Sequence, residues 1–301
     1  MGIIHCLLIW KKDCNEYIFA GTGSGFVHIW ELMDYREAGK NKVCDGSCLS
    51  ISYDKNSDEF LTQEKGGQLS LWTLGKTILD WTLKEIIELD YVGFCKSLYN
   101  YGTIIAPSHD SKVVVIRSSE KKEMYRTDKA SKLGEVICLK YLKSSDSIMV
   151  AYECGDLAVW DICSSKETTR TSMTTDHPMA FDFCELTGEG VLGSNSATLI
   201  KFQFSDMNLK PIRTATMVNS GVSSISIRKD GKLCVVGCWD GRIKYYSMKT
   251  LKLLACLSYH RECVECVVFS EETLKCTNDQ TLLTAGGKDG RITLWTLYSN
   301  K

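Results

Sequence analysis

Short apolar runs recur along this chain at a nearly constant interval. Seven segments of thirteen residues align without gaps: IFAGTGSGFVHIW ending at Trp30, FLTQEKGGQLSLW at Trp72, IIAPSHDSKVVVI at Ile116, IMVAYECGDLAVW at Trp160, GVLGSNSATLIKF at Phe202, CVVGCWDGRIKYY at Tyr246 and LTAGGKDGRITLW at Trp295. Their ends lie 42, 44, 44, 42, 44 and 49 residues apart. Three positions before each end stands an aliphatic residue in every copy: Val27, Leu69, Val113, Leu157, Leu199, Ile243 and Ile292. Five positions before it stands glycine in five copies (Gly25, Gly67, Gly155, Gly241 and Gly290), with Ser111 and Ala197 in the other two. Glycine accepts the positive φ that a tight hairpin demands. Each unit therefore predicts an apolar strand, a turn and a second strand closing on a large side chain, which is a β-hairpin.

Another strand-like run precedes each hairpin, at residues 3–9, 48–53, 91–97, 136–141, 179–184, 222–227 and 264–269. More polar stretches suited to an outer edge follow, for example 120–126 and 166–171. Four strands per period of about 44 residues is the size of one propeller blade. In the closing strands both alternating sets are large, as with Val27 and Ile29 against Trp30, or Ile292 and Leu294 against Trp295. Such a sheet is apolar on both faces and needs a neighbour on each side. The pattern predicts an all-β protein, a seven-bladed β-propeller occupying residues 1–301 as one domain. Residues 3–9 already serve as the innermost strand of the first blade, and six residues follow Trp295. The last blade is thus expected to lack its outer strand, leaving an open edge at 291–297. Some upstream residues are expected to belong to the complete ring.

Trp-Asp closes a repeat once, at Trp160-Asp161, while Trp30-Glu31, Trp72-Thr73 and Trp295-Thr296 are variants. Asp240-Gly241 and Asp289-Gly290 place an acid before the turn glycine, and His260 precedes the last hairpin. This is a degenerate pattern of the WD-repeat type. In well-formed repeats of that type His, Ser or Thr, Asp and Trp share a hydrogen-bond network. The hydroxyl position of the last blade falls on Ala285, so most blades are expected to be held by packing.

Composition narrows the function. The apolar fraction is 44% and the charged fraction 24%, enough for a large core. With 36 basic and 37 acidic residues the formal charge is −1, giving no global field for nucleic acid or an anionic membrane. The fifteen cysteines are scattered, many within apolar runs, and read as reduced thiols of a protein of the cytoplasm and nucleus. MGIIHCLLIWKK reads as a strand rather than a membrane span or a signal peptide, and Cys6 stands where a myristoylation signal at Gly2 wants Ser or Thr.

Local chemistry is sparse. His260-x-x-Cys263-x-x-Cys266 is the nearest approach to a metal cluster, but residues three apart on a strand point to opposite faces and no second cysteine pair completes four ligands. Gly21-Thr22-Gly23-Ser24-Gly25 leads into FVHIW, a strand, where a phosphate-cradling loop needs a helix. The five histidines lie in different repeats, and no catalytic motif accompanies them. No catalytic residue, cofactor or metal is assigned, and no obligate small molecule. The best candidate surface is Trp239, Asp240 and Arg242, echoed one repeat later by Lys288, Asp289 and Arg291 and joined by Tyr259 and His260. Aromatic and Arg side chains supply most interface hot spots, so this is read as a protein-binding rim.

Several stretches resemble the guanine nucleotide-binding protein subunit β-like protein 1 family, WD-repeat proteins distinct from heterotrimeric G-protein β subunits. They are VGFCKS from Val92, KLG from Lys132, AYECGDLAVWD from Ala151, GCWDGRIKYY from Gly237 and AGGKDGRITLWTLY from Ala285, and together with the intervening order of repeats the resemblance covers nearly the whole chain. The resemblance implies a non-catalytic adaptor acting with the TTT co-chaperone complex to mature and stabilise phosphatidylinositol 3-kinase-related kinases. It also implies, through fungal relatives, a link to the ASTRA assembly and chromatin. A true G-protein β subunit would bring a coiled-coil helix for its γ partner, and none precedes the first blade. A ubiquitin-ligase substrate receptor often carries Arg two residues after Trp-Asp, where this chain has Cys163 after Ile162. A chromatin-associated peptide reader would need an acidic or aromatic pocket around the central channel.

Overall fold

Large side chains alternate to both sides of every hairpin, and each side meets a different sheet. The computed structural model describes residues 2–297 apart from 13–14, 90, 118–119 and 125–132. It contains seven antiparallel sheets, each built from consecutive strands in chain order. Six have four strands, spanning residues 4–42, 48–88, 98–124, 136–172, 178–216 and 222–258, and the seventh, within 264–295, has three. These are blades 1 to 7 of a ring. One side chain from each innermost strand, namely Leu7, Ile51, Leu98, Leu139, Phe181, Ile225 and Val267, lines a single central cavity of about 670 Å³.

The apolar clusters lie between blades rather than within them. Trp10, Phe19, Val27 and Ile29 of blade 1 pack on Cys48, Ile51 and Phe60 of blade 2, and the Phe60 ring stacks on Trp81 at 4.8 Å. Phe181, Phe183 and Phe202 of blade 5 meet Met149, Leu157 and Val159 of blade 4. At the closure, Ile4, Leu7 and Ile18 of blade 1 pack with Cys266 and Leu282 of blade 7. The aliphatic residue that opens each closing strand is buried in blades 1 to 6. Its counterpart Ile292 in blade 7 is only half-buried.

The turn glycines are required twice over. Gly25 has φ 74° and Gly155 φ 97°, and a Cβ there would lie 2.1 Å from the Cys44 carbonyl oxygen and 1.9 Å from that of Thr174. Ser111 adopts the same region at φ 63°. Blade 5 turns without it: Ser194 and Ser196 hydroxyls bond at 2.9 Å, and the Thr198 N–H donates to Ser196 Oγ at 3.2 Å, so Ala197 suffices.

The inner strand expected at 91–97 is a correction. The strand is Leu98–Asn100, and the run before it is a loop held by polar groups. Gln63 Nε2 donates to the Cys95 carbonyl at 3.0 Å, the Ser97 N–H donates to Gln63 Oε1 at 2.7 Å, and the Cys95 N–H donates to Tyr91 Oη at 3.1 Å. Tyr91 and Cys95 turn inward while Val92 and Phe94 face solvent, a pattern that looks strand-like by alternation alone. The outer strand of blade 3 is Glu120–Met124; positions 125–126 of the expected run lie outside the described residues.

Carboxylates tie neighbouring blades along one rim. Glu185 of blade 5 accepts the N–H groups of Lys143 and Ser144 of blade 4 at 3.1 and 2.8 Å, and Asp54 of blade 2 accepts those of Tyr101 and Gly102 of blade 3 at 2.9 and 3.0 Å. The same device closes the ring. The longer last interval contains a short 3₁₀ turn, Lys275–Thr277, and the buried Glu16 of blade 1 accepts the N–H groups of Lys275 and Cys276 at 2.7 and 3.0 Å. Burial alone would raise the Glu16 pKa, but the Cys276 and Lys275 amides outweigh it and hold the carboxyl below its usual 4.5. A depressed native pKa gives stability that is complete above the unfolded value and lost as pH falls through the native one. Glu16→Gln is therefore expected to lower stability at neutral pH by roughly 1–2 kcal/mol. It should also make the loss of stability below pH 4.5 shallower than in the parent chain, as read by urea titrations across that range.

Candidate functional site

The turns between second and third strands, together with the links between blades, form one rim of the disc, and all eight candidate residues lie on it. They divide by exposure. His260 and Asp289 are buried in the last blade's hairpin. His260 Nδ1 meets Asp289 Oδ1 at 3.0 Å, its Nε2 meets Thr293 Oγ1 at 3.1 Å, and Trp295 Nε1 donates to the same hydroxyl at 3.0 Å. Asp289 also accepts the N–H groups of Arg261 and Arg291. The network expected to fail at Ala285 is thus present, a correction with a simple geometric cause. Ala285 pairs directly with Thr293 across the hairpin, so the hydroxyl has moved to the facing residue. In blade 2, where Thr62 faces Ser70, Trp72 Nε1 donates to Thr62 at 2.9 Å from the original side.

The remaining six candidates reach solvent to different degrees. Trp239 is 45% exposed and Tyr259 54%. The Arg291 guanidinium lies 5.5 Å from the Tyr259 ring centre, a cation–π distance. Trp239 lies over Gly221, where a Cβ would fall 2.3 Å from the indole, and the Trp239 backbone N–H donates to the Gly221 carbonyl at 3.1 Å. Asp240 caps its turn through the Arg242 N–H at 3.1 Å, accepts from Asn219 Nδ2 at 2.6 Å and stands 3.7 Å from the half-exposed Arg242 guanidinium, while Lys288 is exposed. Trp239 and Asp240 thus have local structural partners and still present exposed surface.

Three further apolar side chains share this rim: Val218 at 88% exposure, Val92 at 74% and Phe94 at 69%. Lys65 Nζ stands 4.9 Å from the Phe94 ring centre. Sequence reading missed Val92 and Phe94 because it assigned them to a strand interior; Gly93 between them was the signal of a turn. They flank the mouth of the central cavity, whose lining also includes His5, Lys96, Glu135, Glu153 and Glu265.

In the run from His260 to Cys266, His260 and Cys266 are buried and Cys263 is half-buried. Both His260 nitrogens are occupied as described, and burial pushes the Cys263 and Cys266 thiols up to about 12 each. Among the described residues no group of three or more His, Cys, Asp or Glu side chains could hold a metal ion. The glycine-rich segment from Gly21 is a hairpin turn followed by the strand Phe26–Glu31.

Comparison with known proteins settles the lineage. Residues 251–296 match the WD domain, G-beta repeat model, and residues 199–272 match that of the anaphase-promoting complex subunit 4 WD40 domain. ASTRA-associated protein 1 of Yarrowia lipolytica is 32% identical over an alignment covering 94% of this chain and 90% of that protein. The chain belongs to the ASTRA-associated protein 1 family. Guanine nucleotide-binding protein subunit beta-like protein 1 of Mus musculus is 29% identical, with 94% of this chain and 88% of that protein covered. The β-propeller domain of Cps50 (Swd1) from Myceliophteria thermophila superposes with a TM-score of 0.81 at 14% identity, covering 99% of this chain and 98% of that one, a likeness of fold.

Within this ASTRA-associated protein 1 relative the displaced hydroxyl gives a direct test of how blade 7 is held. Thr293→Val leaves His260 and Trp295 without their shared partner and is expected to cost about 1–3 kcal/mol in urea unfolding. Adding Ala285→Ser, which restores a hydroxyl on the side used in blade 2, should recover part of that loss.

Proposed function

We propose that this WD-repeat protein is a non-catalytic adaptor that works with the TTT co-chaperone complex in the maturation and stability of phosphatidylinositol 3-kinase-related kinases, in cytoplasm and nucleus. The observation that carries the reading is the family match along nearly the whole chain to proteins named for association with ASTRA. A rigid ring with aromatic and cationic side chains exposed on one rim is suited to holding proteins, since such side chains combine large contact area with directional bonds. Trp239, Arg242, Tyr259, Lys288 and Arg291 would supply the contact, and the buried His260 and Asp289 would fix the shape of the turn that presents it.

Affinity purification from cells followed by mass spectrometry tests the reading. TTT components and the large kinases should be recovered with the parent chain, and recovery of cullin-linker proteins in their place would overturn the proposal. Trp239→Ala combined with Arg242→Ala should reduce that recovery roughly tenfold, as expected for loss of two anchoring side chains. The melting temperature should move by no more than about 2–4 °C. An unfolded double variant would make these residues structural and remove the site.

A further inference from the structure

The rim that carries the inter-blade carboxylates also presents side chains that those carboxylates do not engage. Tyr101, in the turn between the first two strands of blade 3, is 44% exposed. The Lys143 ammonium of blade 4 lies 3.8 Å from its ring centre and donates to its hydroxyl, a neutral partner. Lys143 gives its backbone N–H to Glu185 of blade 5, and the next residue, Leu186, is 78% exposed. The corresponding turn of blade 6 packs against the other side of the Leu186 turn. A Cβ on Gly231 would fall 2.4 Å from Thr187 Cγ2, and Cys184 Sγ donates to the Lys229 carbonyl at 3.7 Å. Lys229 and Lys232 stand on either side of that glycine, both exposed. Tyr101, Lys143, Leu186, Lys229 and Lys232 thus follow one arc across blades 3 to 6.

The carboxylates along this arc are already engaged. Asp146 accepts from Arg117 and from the Tyr141 hydroxyl at 2.9 Å, and Glu185 takes its two amides. Asp230 accepts from the buried Arg228 at 2.7 Å and from the Lys232 backbone N–H at 3.0 Å. In blade 7, Glu272 is matched by Lys55 at 3.0 Å and Lys11 at 3.9 Å. Among the described residues no ion pair takes up the ammonium groups of Lys143, Lys229 or Lys232. Three positive charges therefore surround an exposed leucine with no acid assigned to them.

The leucine is held in the open by its own turn. The Thr187 and Gly188 N–H groups donate to the Cys184 carbonyl at 3.3 and 2.9 Å, and Glu185 beside it is fixed by the two amides of blade 4. A side chain presented in this way needs little further ordering when a partner covers it.

We propose that this arc is a second docking surface, which takes an acidic segment of a partner protein. A large apolar side chain of that segment rests on Leu186 and Tyr101, and its carboxylates meet Lys143, Lys229 and Lys232. Charge complementarity selects an acidic segment over a basic one. The leucine selects protein over nucleic acid, because phosphates would neutralise the ammonium groups and leave the apolar side chain in water. The arc lies on the rim opposite Trp239 and Tyr259, so both surfaces can be filled at once.

The test is zero-length cross-linking of the full chain purified from cells together with its bound proteins. A carbodiimide joins an amine to a carboxylate only where the two touch, and peptide mapping identifies both ends. Links from Lys143, Lys229 or Lys232 to Asp or Glu of another protein are expected. Lys143→Glu with Lys229→Glu should lower recovery of that linked protein roughly tenfold, and Leu186→Ser alone should lower it by a similar factor. Melting temperatures should stay within about 2–4 °C of the parent chain. The links should persist in the Trp239→Ala, Arg242→Ala chain, which separates this surface from the rim site; their loss there would overturn a second surface. Absence of such links, links only to a second copy of this chain, their disappearance after nuclease treatment, or recovery indifferent to both variants would each overturn the proposal.

Discussion

A four-stranded sheet with large apolar side chains on both faces cannot exclude water from either face by itself, and everything in this structure follows from that limitation. Burial is achieved only when each sheet is pressed between two others, and a ring is the arrangement that gives every sheet two neighbours. The apolar clusters accordingly sit at the boundaries between blades. The aromatic group of Trp10, Phe19, Phe60 and Trp81 is shared by blades 1 and 2 and belongs to neither alone.

Packing between blades is nondirectional, so polar contacts fix their relative placement. Carboxylates do this along one rim, each accepting two amides from the adjacent blade, with the buried Glu16 performing the step that joins the last blade to the first. On the opposite rim the hairpins carry the exposed aromatic and cationic groups, held in place by the turns and, in blade 7, by the His260 and Asp289 network.

Blade 7 departs from the pattern in a way that exposes the rule. Among the described residues it has no fourth strand, and Ile292 and Trp295 are half-buried. The blade is held nonetheless, because its hydroxyl network and the Glu16 contact act on the inner three strands and on the turn between the first two.

The period of about 44 residues, the aliphatic position before each closing side chain and the turn glycine are properties of local chain geometry, and they were enough to establish seven sheets, their order and the hairpin rim that carries Trp239 and Tyr259. Two features lay beyond that reach. The segment around Phe94 alternates like a strand, yet Gln63 from another blade holds it as a loop. The hydroxyl absent at Ala285 is supplied by Thr293 from across the hairpin. In both cases the deciding partner is distant in sequence or on the facing strand, and only folding brings it within hydrogen-bond distance.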